Sequence, residues 1–571
     1  MVKNITGYPS IDKTHLAGIP KSKLEPITFS INMLTLFRAL NIGHMDEICI
    51  EENGKKYTKN RVLHDALTIA SDLLVFSPAH RSKAKSTSKR QNQDPKLAII
   101  APNCYEGIVA TLGANAVGIA VVMIEPRALE DRELLLKELN LHKPVAVIAY
   151  GKSSTWAVEL TRDRRLQFKI RRLWIINPTS AINGCDPFSL TFNVLKNKDV
   201  DPLAKLDSFT HAFSYKNRAM LYLKTSGSSS GEPKTLPFNN KAIMSALIHA
   251  SNSTGMKPRD PRVGRVLCNA PYQHGYGWMP LFMNLISGME VVLVGGAKQD
   301  VSCYYKLSPG HIYGTPLTLH QFIMTAPSNV NLSSLTAFYC AGETLAEEEY
   351  RKGIDFFRKH KSNAEIRNNY GISEALCIGT ATDGIKHIPG TIGKFYLGSE
   401  KLIVDDNLKE VKYNVPGELL IASDTLCMGY FNDPEATRRS FIKINGKTFF
   451  RTGDILSLRE DGYVKFYDRK RRFFFAEGVT DKVNCATIEQ ALMELDPIDQ
   501  AAVAIKKYGG MDGAKAFVTL RQDDKNVSVE TIRQGVSKKL LDFQMPREIV
   551  IIDKIPIRDS GKIDYPALEQ M

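Results

Sequence analysis

Between residues 96 and 150 short apolar runs alternate with longer segments of helical character. "KLAIIAPN" at 96–103, "VVMIEP" at 121–126 and "PVAVIAY" at 144–150 read as strands, separated by a helix over Gly107 to Ala120 and by the charged "RALEDRELLLKELNLHK". Continuous apolar strands alternating with helices are the pattern of a parallel sheet covered on its faces, because each parallel crossover needs an intervening helix. The alternation continues through "VVLVGG" at 291–296 and predicts a large α/β domain. The uncharged stretch Gly107 to Ile124 reaches the ~18-residue length of a membrane helix. Its Gly, Ala, Asn and Thr content and its place between two strands predict a buried helix instead, so no membrane span is expected.

The texture then changes. "GELLIASDTLCMGYF" at 417–431 and "GYVKFYD" at 462–468 read as short β units. After the charged "DRKRR" at 468–472 comes a tail with a helix near Thr487 to Glu494, strands "AAVAIKK" and "AFVTL", a helix near Val529 to Leu541 and strand "REIVIID". This is an α+β module of about a hundred residues, with its boundary near Asp468 to Arg472. The basic polar stretch at 77–96 reads as a surface loop.

Composition narrows the partners. The chain has 571 residues and a formal charge of +14, which favours anions such as nucleotides, coenzyme A, acidic proteins or nucleic acid without choosing among them. Nine cysteines stand singly, with no C-x-x-C pair, so neither a disulfide framework nor a zinc site is signalled. The N-terminus lacks the apolar core of a signal peptide, and a reducing cytoplasm is the expected home.

The candidate chemistry lies in separate stretches. "TSGSSSGEPK" at 225–234 can turn backbone N–H groups and hydroxyls inward around a phosphate, with Lys234 adding charge; it lacks the G-x-x-x-x-G-K-[ST] spacing of a Walker loop. "PYQHGYGW" at 271–278 sets His274 among glycines and aromatics, and "NNYGISEA" at 368–375 places Tyr370, Ser373 and Glu374 on a tight turn. "FFRTGD" ends in Asp454, and "PIRDSGKIDYPAL" presents Lys562 in a loop opened by glycine. Taken alone, His274 and Lys562 are more often a structural histidine and a solvated lysine.

In this order, together with "AGETL" at 341–345 and "GELLIASDTLCMGYFNDPEATRRSF" at 417–441, these motifs resemble the adenylate-forming superfamily: acyl- and aryl-CoA synthetases, adenylation domains of nonribosomal peptide synthesis, and luciferase-like enzymes. The resemblance implies an N-terminal AMP-binding domain over 1–468, a hinge at 469–472 and a small mobile domain over 473–571. It implies ATP-dependent conversion of a carboxylic acid into an acyl-adenylate, then transfer to the thiol of CoA or of a separate phosphopantetheinyl carrier protein. A nucleic-acid partner is not implied.

By the same resemblance Thr225, Ser226, Gly227, Ser228, Ser229, Ser230, Gly231 and Lys234 would hold the phosphates. Glu374 would ligate Mg²⁺ with Ser373 facing the phosphates, and Tyr370, Gly371, Gly342 and Glu343 would line the adenine pocket. Asp454 and Arg469 would serve the ribose, His274 would stand beside the acyl carboxylate, Lys562 would reach the carboxylate and α-phosphate, and Arg471 would be the pivot. The pivot is basic here, and the phosphate loop is one residue longer than the family's usual form.

The "PYQHGYGW" stretch has no acidic residue to pair an α-ammonium, and a buried ammonium without a partner is costly. An acid without an α-amine, aromatic or aliphatic, is therefore expected, with Gly275, Gly277, Trp278, Cys340 and Ala341 near it. A luciferase-like oxygenase using the same adenylate and a non-catalytic scaffold are the alternatives.

Overall fold

The structure is a computed structural model that describes residues 32–77, 94–151, 154–176, 218–225, 233–253, 258–294, 301–376, 380–381, 388, 390–395, 399–475, 482–521, 527–558 and 562–571. The chain enters one sheet through the hairpin β1 (Ile48–Glu52) and β2 (Lys55–Thr58). It builds a second sheet from β3 (Lys96–Ile100), β4 (Ala120–Ile124), β5 (Ala146–Tyr150), β6 (Arg172–Ile176), β7 (Ala219–Lys224) and β8 (Thr235–Asn239). It then returns to the first with β9 (Arg265–Cys268), β10 (Glu290–Leu293), β11 (His311–Gly314), β12 (Ala337–Cys340) and β13 (Glu365–Asn368).

The six-stranded sheet has the order β6-β5-β3-β4-β7-β8, and the seven-stranded sheet the order β13-β12-β11-β9-β10-β1-β2. Each is parallel except at one edge, where β8 and β2 pair antiparallel. The predicted α/β layering is thus present, with β3, β4 and β5 buried along their lengths as their apolar runs require.

The helix α1 (Lys59–Leu73) packs on α2 (Tyr105–Ala116) between the sheets. Their approach is close: a Cβ on Gly113 would fall 2.4 Å from the Ala66 carbonyl oxygen. α2 is shorter at its end than the apolar run suggests, because Gly118 turns left-handed at φ 72° and lets Ala120 start β4. Among the described residues no helix is long and apolar enough to cross a membrane.

A five-stranded antiparallel sheet follows, built on Gly417–Ser423 and Lys447–Leu458. The tail then forms helix Cys485–Met493, the antiparallel pair Ile498–Tyr508 and Met511–Leu520, helix Val529–Ser537 and strand Glu548–Ile551. Phe474, Ile488, Leu492, Val503, Val518 and Ile532 give this tail a core of its own.

Candidate active site

Ligands of open parallel sheets bind beyond the carboxyl ends of the strands. Here Glu125 follows β4, Thr225 follows β7, "PYQH" follows β9, Thr315 follows β11, "AGE" follows β12 and Tyr370 lies just beyond β13. The predicted residues from both sheets therefore meet at one edge of the large domain.

The phosphate-loop candidate is the loop of an antiparallel hairpin, not a strand-to-helix turn. Its base is closed by Thr225 N–H donating to the Lys234 carbonyl and Lys234 N–H donating to Thr225 Oγ1, each at 2.9 Å. Ser226, Gly227, Ser228, Ser229, Ser230 and Gly231 lie outside the described residues. Lys234 Nζ sits 4.5 Å from the centre of the Tyr430 ring, and the Tyr430 hydroxyl donates to Glu374 Oε1 at 2.9 Å. Tyr430 thus ties the loop's lysine to the candidate metal carboxylate. Glu374 itself stands in the single turn Ser373–Ala375, held by Cys427 N–H on its carbonyl at 2.7 Å. Arg127, Lys137, Lys224 and Lys234 line a cavity of about 400 Å³ beside this cluster.

Asp454 is fully buried. It pairs in register with Arg469 across neighbouring strands; Arg469 Nε lies 2.7 Å from Oδ1, and the Tyr370 hydroxyl donates to Oδ2 at 2.5 Å. Burial raises the Asp454 pKa, opposed by the Arg469 charge and the Tyr370 hydrogen bond. The Tyr370 ring packs against Phe466, and Gly371 continues the chain to the Glu374 turn.

Lys562 comes from the small domain and reaches the large one. A Cβ built on Gly342, which holds φ 95°, would lie 3.1 Å from Lys562 Cε; a side chain there would crowd the lysine. The next residue anchors the approach, with Ile563 N–H donating to Glu343 Oε1 at 2.5 Å. Burial pushes the Glu343 carboxyl up to about 7, against the pull of Ile563 and Lys562.

His274 caps the N-terminus of helix α3 (Gly275–Ile286) with its backbone, while its ring makes no capping bond. Gly277 is required there: a Cβ would fall 2.1 Å from the Pro271 carbonyl oxygen. His274 Nε2 lies 3.5 Å from Glu125 Oε1. Burial, then Lys562 and Arg127, lower the His274 pKa, while Glu125 raises it.

Two of the residues expected near the substrate belong to the core. Trp278 has no exposed surface and packs on Phe282, and Cys340 is equally enclosed, because both point inward from elements buried between layers. Tyr276, which the motif did not single out, donates to the Gly314 and Tyr339 carbonyls at 2.8 and 3.1 Å. At the expected hinge Arg471 is exposed, whereas Arg472 spans the domains, bonding Asp468 at 2.9 Å and Glu489 at 2.7 Å.

A family model described as AMP-binding enzyme matches residues 88–431, and one described as AMP-binding enzyme C-terminal domain matches 487–562. The chain is 24% identical to a 4-coumarate–CoA ligase of Solanum tuberosum, over 82% of this chain and 83% of that one. It is 24% identical to a D-alanine–D-alanyl carrier protein ligase of Lactococcus lactis, over 87% and 93%. Other matched relatives are far longer synthases, of which the chain spans 10% or less. The ATP-bound structure of MatB from Rhodopseudomonas palustris superposes with a TM-score of 0.75 at 16% identity, covering 95% of this chain and 99% of that one.

Proposed function

The chain belongs to the AMP-binding enzyme family of adenylate-forming ligases, and from that premise we propose that it joins a carboxylic acid to ATP as an acyl-adenylate and passes the acyl group to a thiol. The observation that carries this reading is Lys562 lying against Gly342, with Ile563 anchored on Glu343. A carboxylate is a poor acyl donor because oxide would have to leave; attack of its oxygen on the α-phosphate expels pyrophosphate and leaves AMP as a good leaving group. The in-line transition state gathers negative charge, and Lys562 supplies the opposite charge where it develops.

The remaining roles are assigned from the family resemblance, together with position for the described residues. Thr225 and Lys234 bracket the loop for the departing pyrophosphate, with Ser226 to Gly231 as its donors. Asp454 accepts from the ribose hydroxyls while Arg469 holds it in place. Tyr370, Gly371, Gly342 and Glu343 bound the adenine, and Ser373 faces the phosphates. Glu374 would hold Mg²⁺, a hard ion that prefers oxygen ligands and would neutralise phosphate charge. Tyr430 fixes Glu374 Oε1. Tyr430→Phe is therefore expected to raise the Mg²⁺ concentration for half-maximal activity about tenfold, read by titrating the metal at saturating ATP.

The acid lacks an α-amine in this reading. Among the described residues the carboxylate that faces His274 is Glu125, and its second oxygen is taken by Arg127 at 2.5 Å. The acceptor is CoA or a carrier protein, the two kinds named for the potato and Lactococcus relatives; the ligase names favour this over the oxygenase. For transfer the small domain turns about 469–472 with Arg471 as pivot, and the Asp468–Arg472 pair must open.

Acid-dependent ATP–pyrophosphate exchange with pools of aryl, fatty, short-chain and amino acids tests the proposal. Exchange with one pool of acids lacking an α-amine is expected. ATP binding without exchange in any pool would overturn the adenylation reading.

A further inference from the structure

We propose that Glu125 is the positioning residue of His274, holding its ring at the reacting centre and balancing the charge that Lys562 brings there. The inference deepens the adenylation reading and rests on it for the pose of the small domain. Glu125 leaves β4 in an extended conformation, and Pro126 starts the turn Pro126–Leu129 directly after it. The backbone there is fixed by the sheet on one side and the proline ring on the other. Arg127 Nε holds Glu125 Oε2 at 2.5 Å, so Oε1 is aimed at His274 Nε2, 3.5 Å away. Both interacting side chains are mostly buried, at 17% and 13% exposure. Contacts of this length in an active site tighten when substrate arrives.

The ring's polar contacts are with Glu125 and with the Lys224 backbone. The ring makes no capping bond to α3; it faces Glu125 from β4, Arg127 from the following turn, the Lys224 backbone at the end of β7 and Lys562 from the small domain. Burial, Lys562 and Arg127 disfavour the imidazolium, and Glu125 and the Lys224 backbone favour it. Glu125 and His274 belong to the large domain, while Lys562 arrives with the small one. With Lys562 docked the imidazolium is disfavoured. Once the small domain turns away, the Glu125 charge is unopposed by Lys562 and the ring gains affinity for a proton. The charge preference of His274 therefore depends on whether Lys562 is docked.

The test uses the full chain with isotope-labelled histidine, following the ring signals of His274 by NMR across pH, assigned by loss in His274→Asn. Glu125→Gln keeps the shape and removes the charge; it is expected to shift the His274 midpoint to lower pH, and Lys562→Ala to shift it to higher pH. Glu125→Gln is also expected to raise the KM for the acid about tenfold with a smaller loss of kcat. A His274 midpoint that stays put in Glu125→Gln overturns the proposal. Glu125→Asp, which shortens the side chain by one methylene, checks the geometry: it keeps the charge but should raise KM as well. The titration needs no turnover, so its failure leaves the adenylation reading standing, and absence of exchange leaves the titration result intact.

Discussion

Lys562→Ala is expected to lower acid-dependent pyrophosphate exchange about 10²–10³-fold, the effect of removing one preorganised group from a charge-building transition state. Its fold should hold. Lys562 stands at the rim between domains, half-buried, and is absent from the residues that build the core of the tail; substitutions of that kind change stability by about 0.5 kcal/mol or less. The variant should therefore melt within about 2 °C of the parent and bind ATP with nearly unchanged affinity. The Ile563 anchor on Glu343 uses backbone and survives the change. Thioester formation from a supplied acyl-adenylate should proceed in the variant, because the proposed turn of the small domain takes Lys562 out of the site. Exchange retained at more than about a tenth of the parent rate would remove Lys562 from the chemistry.

The contrast between motif and pair explains what could be read from the chain beforehand. Strands β3, β4 and β5 announce themselves because burial on both faces demands unbroken apolar runs, and the motif turns sit at strand ends where the sheet delivers them. The run Gly107 to Ile124 blurred a helix, a left-handed glycine and a strand into one apolar stretch, since hydropathy carries no sign of φ at Gly118. Long-range partners were invisible for a different reason. Tyr370 and Asp454 are 84 residues apart, Tyr430 and Glu374 are 56 apart, and Ile563 and Glu343 are 220 apart. Nothing local selects such pairs; the packing of separate layers brings them together. Trp278 lies in the core because a residue beside a motif histidine can face either the site or the core, and helical phase decides.

Asp454 is where function and stability pull apart, and Asp454→Asn should show it. The carboxylate is enclosed, and burial outweighs Arg469 and Tyr370 in raising its pKa. The folded chain thus holds this proton more tightly than the unfolded chain does. By linkage, the group's contribution to stability is fully present below its unfolded pKa and is lost as pH rises through the folded one. Above the folded pKa the ionised carboxylate is therefore a net cost to folding. Asn has the same volume, carries no charge and can still accept from Tyr370, so Asp454→Asn should melt within about 2 °C of the parent or above it, with the difference shrinking as pH falls.

Asp454→Ala should behave otherwise. It removes the acceptor of the Tyr370 hydroxyl and the ion-pair partner of Arg469, which keeps its bond to the Thr452 carbonyl at 3.2 Å; with Arg469 41% exposed, water offsets part of the loss, leaving a destabilisation of about 2 kcal/mol. Both variants lose a charged acceptor for two ribose hydroxyls, at about 1.5–3 kcal/mol for each hydrogen bond to a charged group. The KM for ATP should accordingly rise about 10²–10⁴-fold in each. Melting curves across pH, run beside exchange assays at varied ATP, separate the effects: an Asp454→Asn variant that keeps its ATP affinity would free Asp454 of its ribose role, and one that melts far below the parent would make the residue structural.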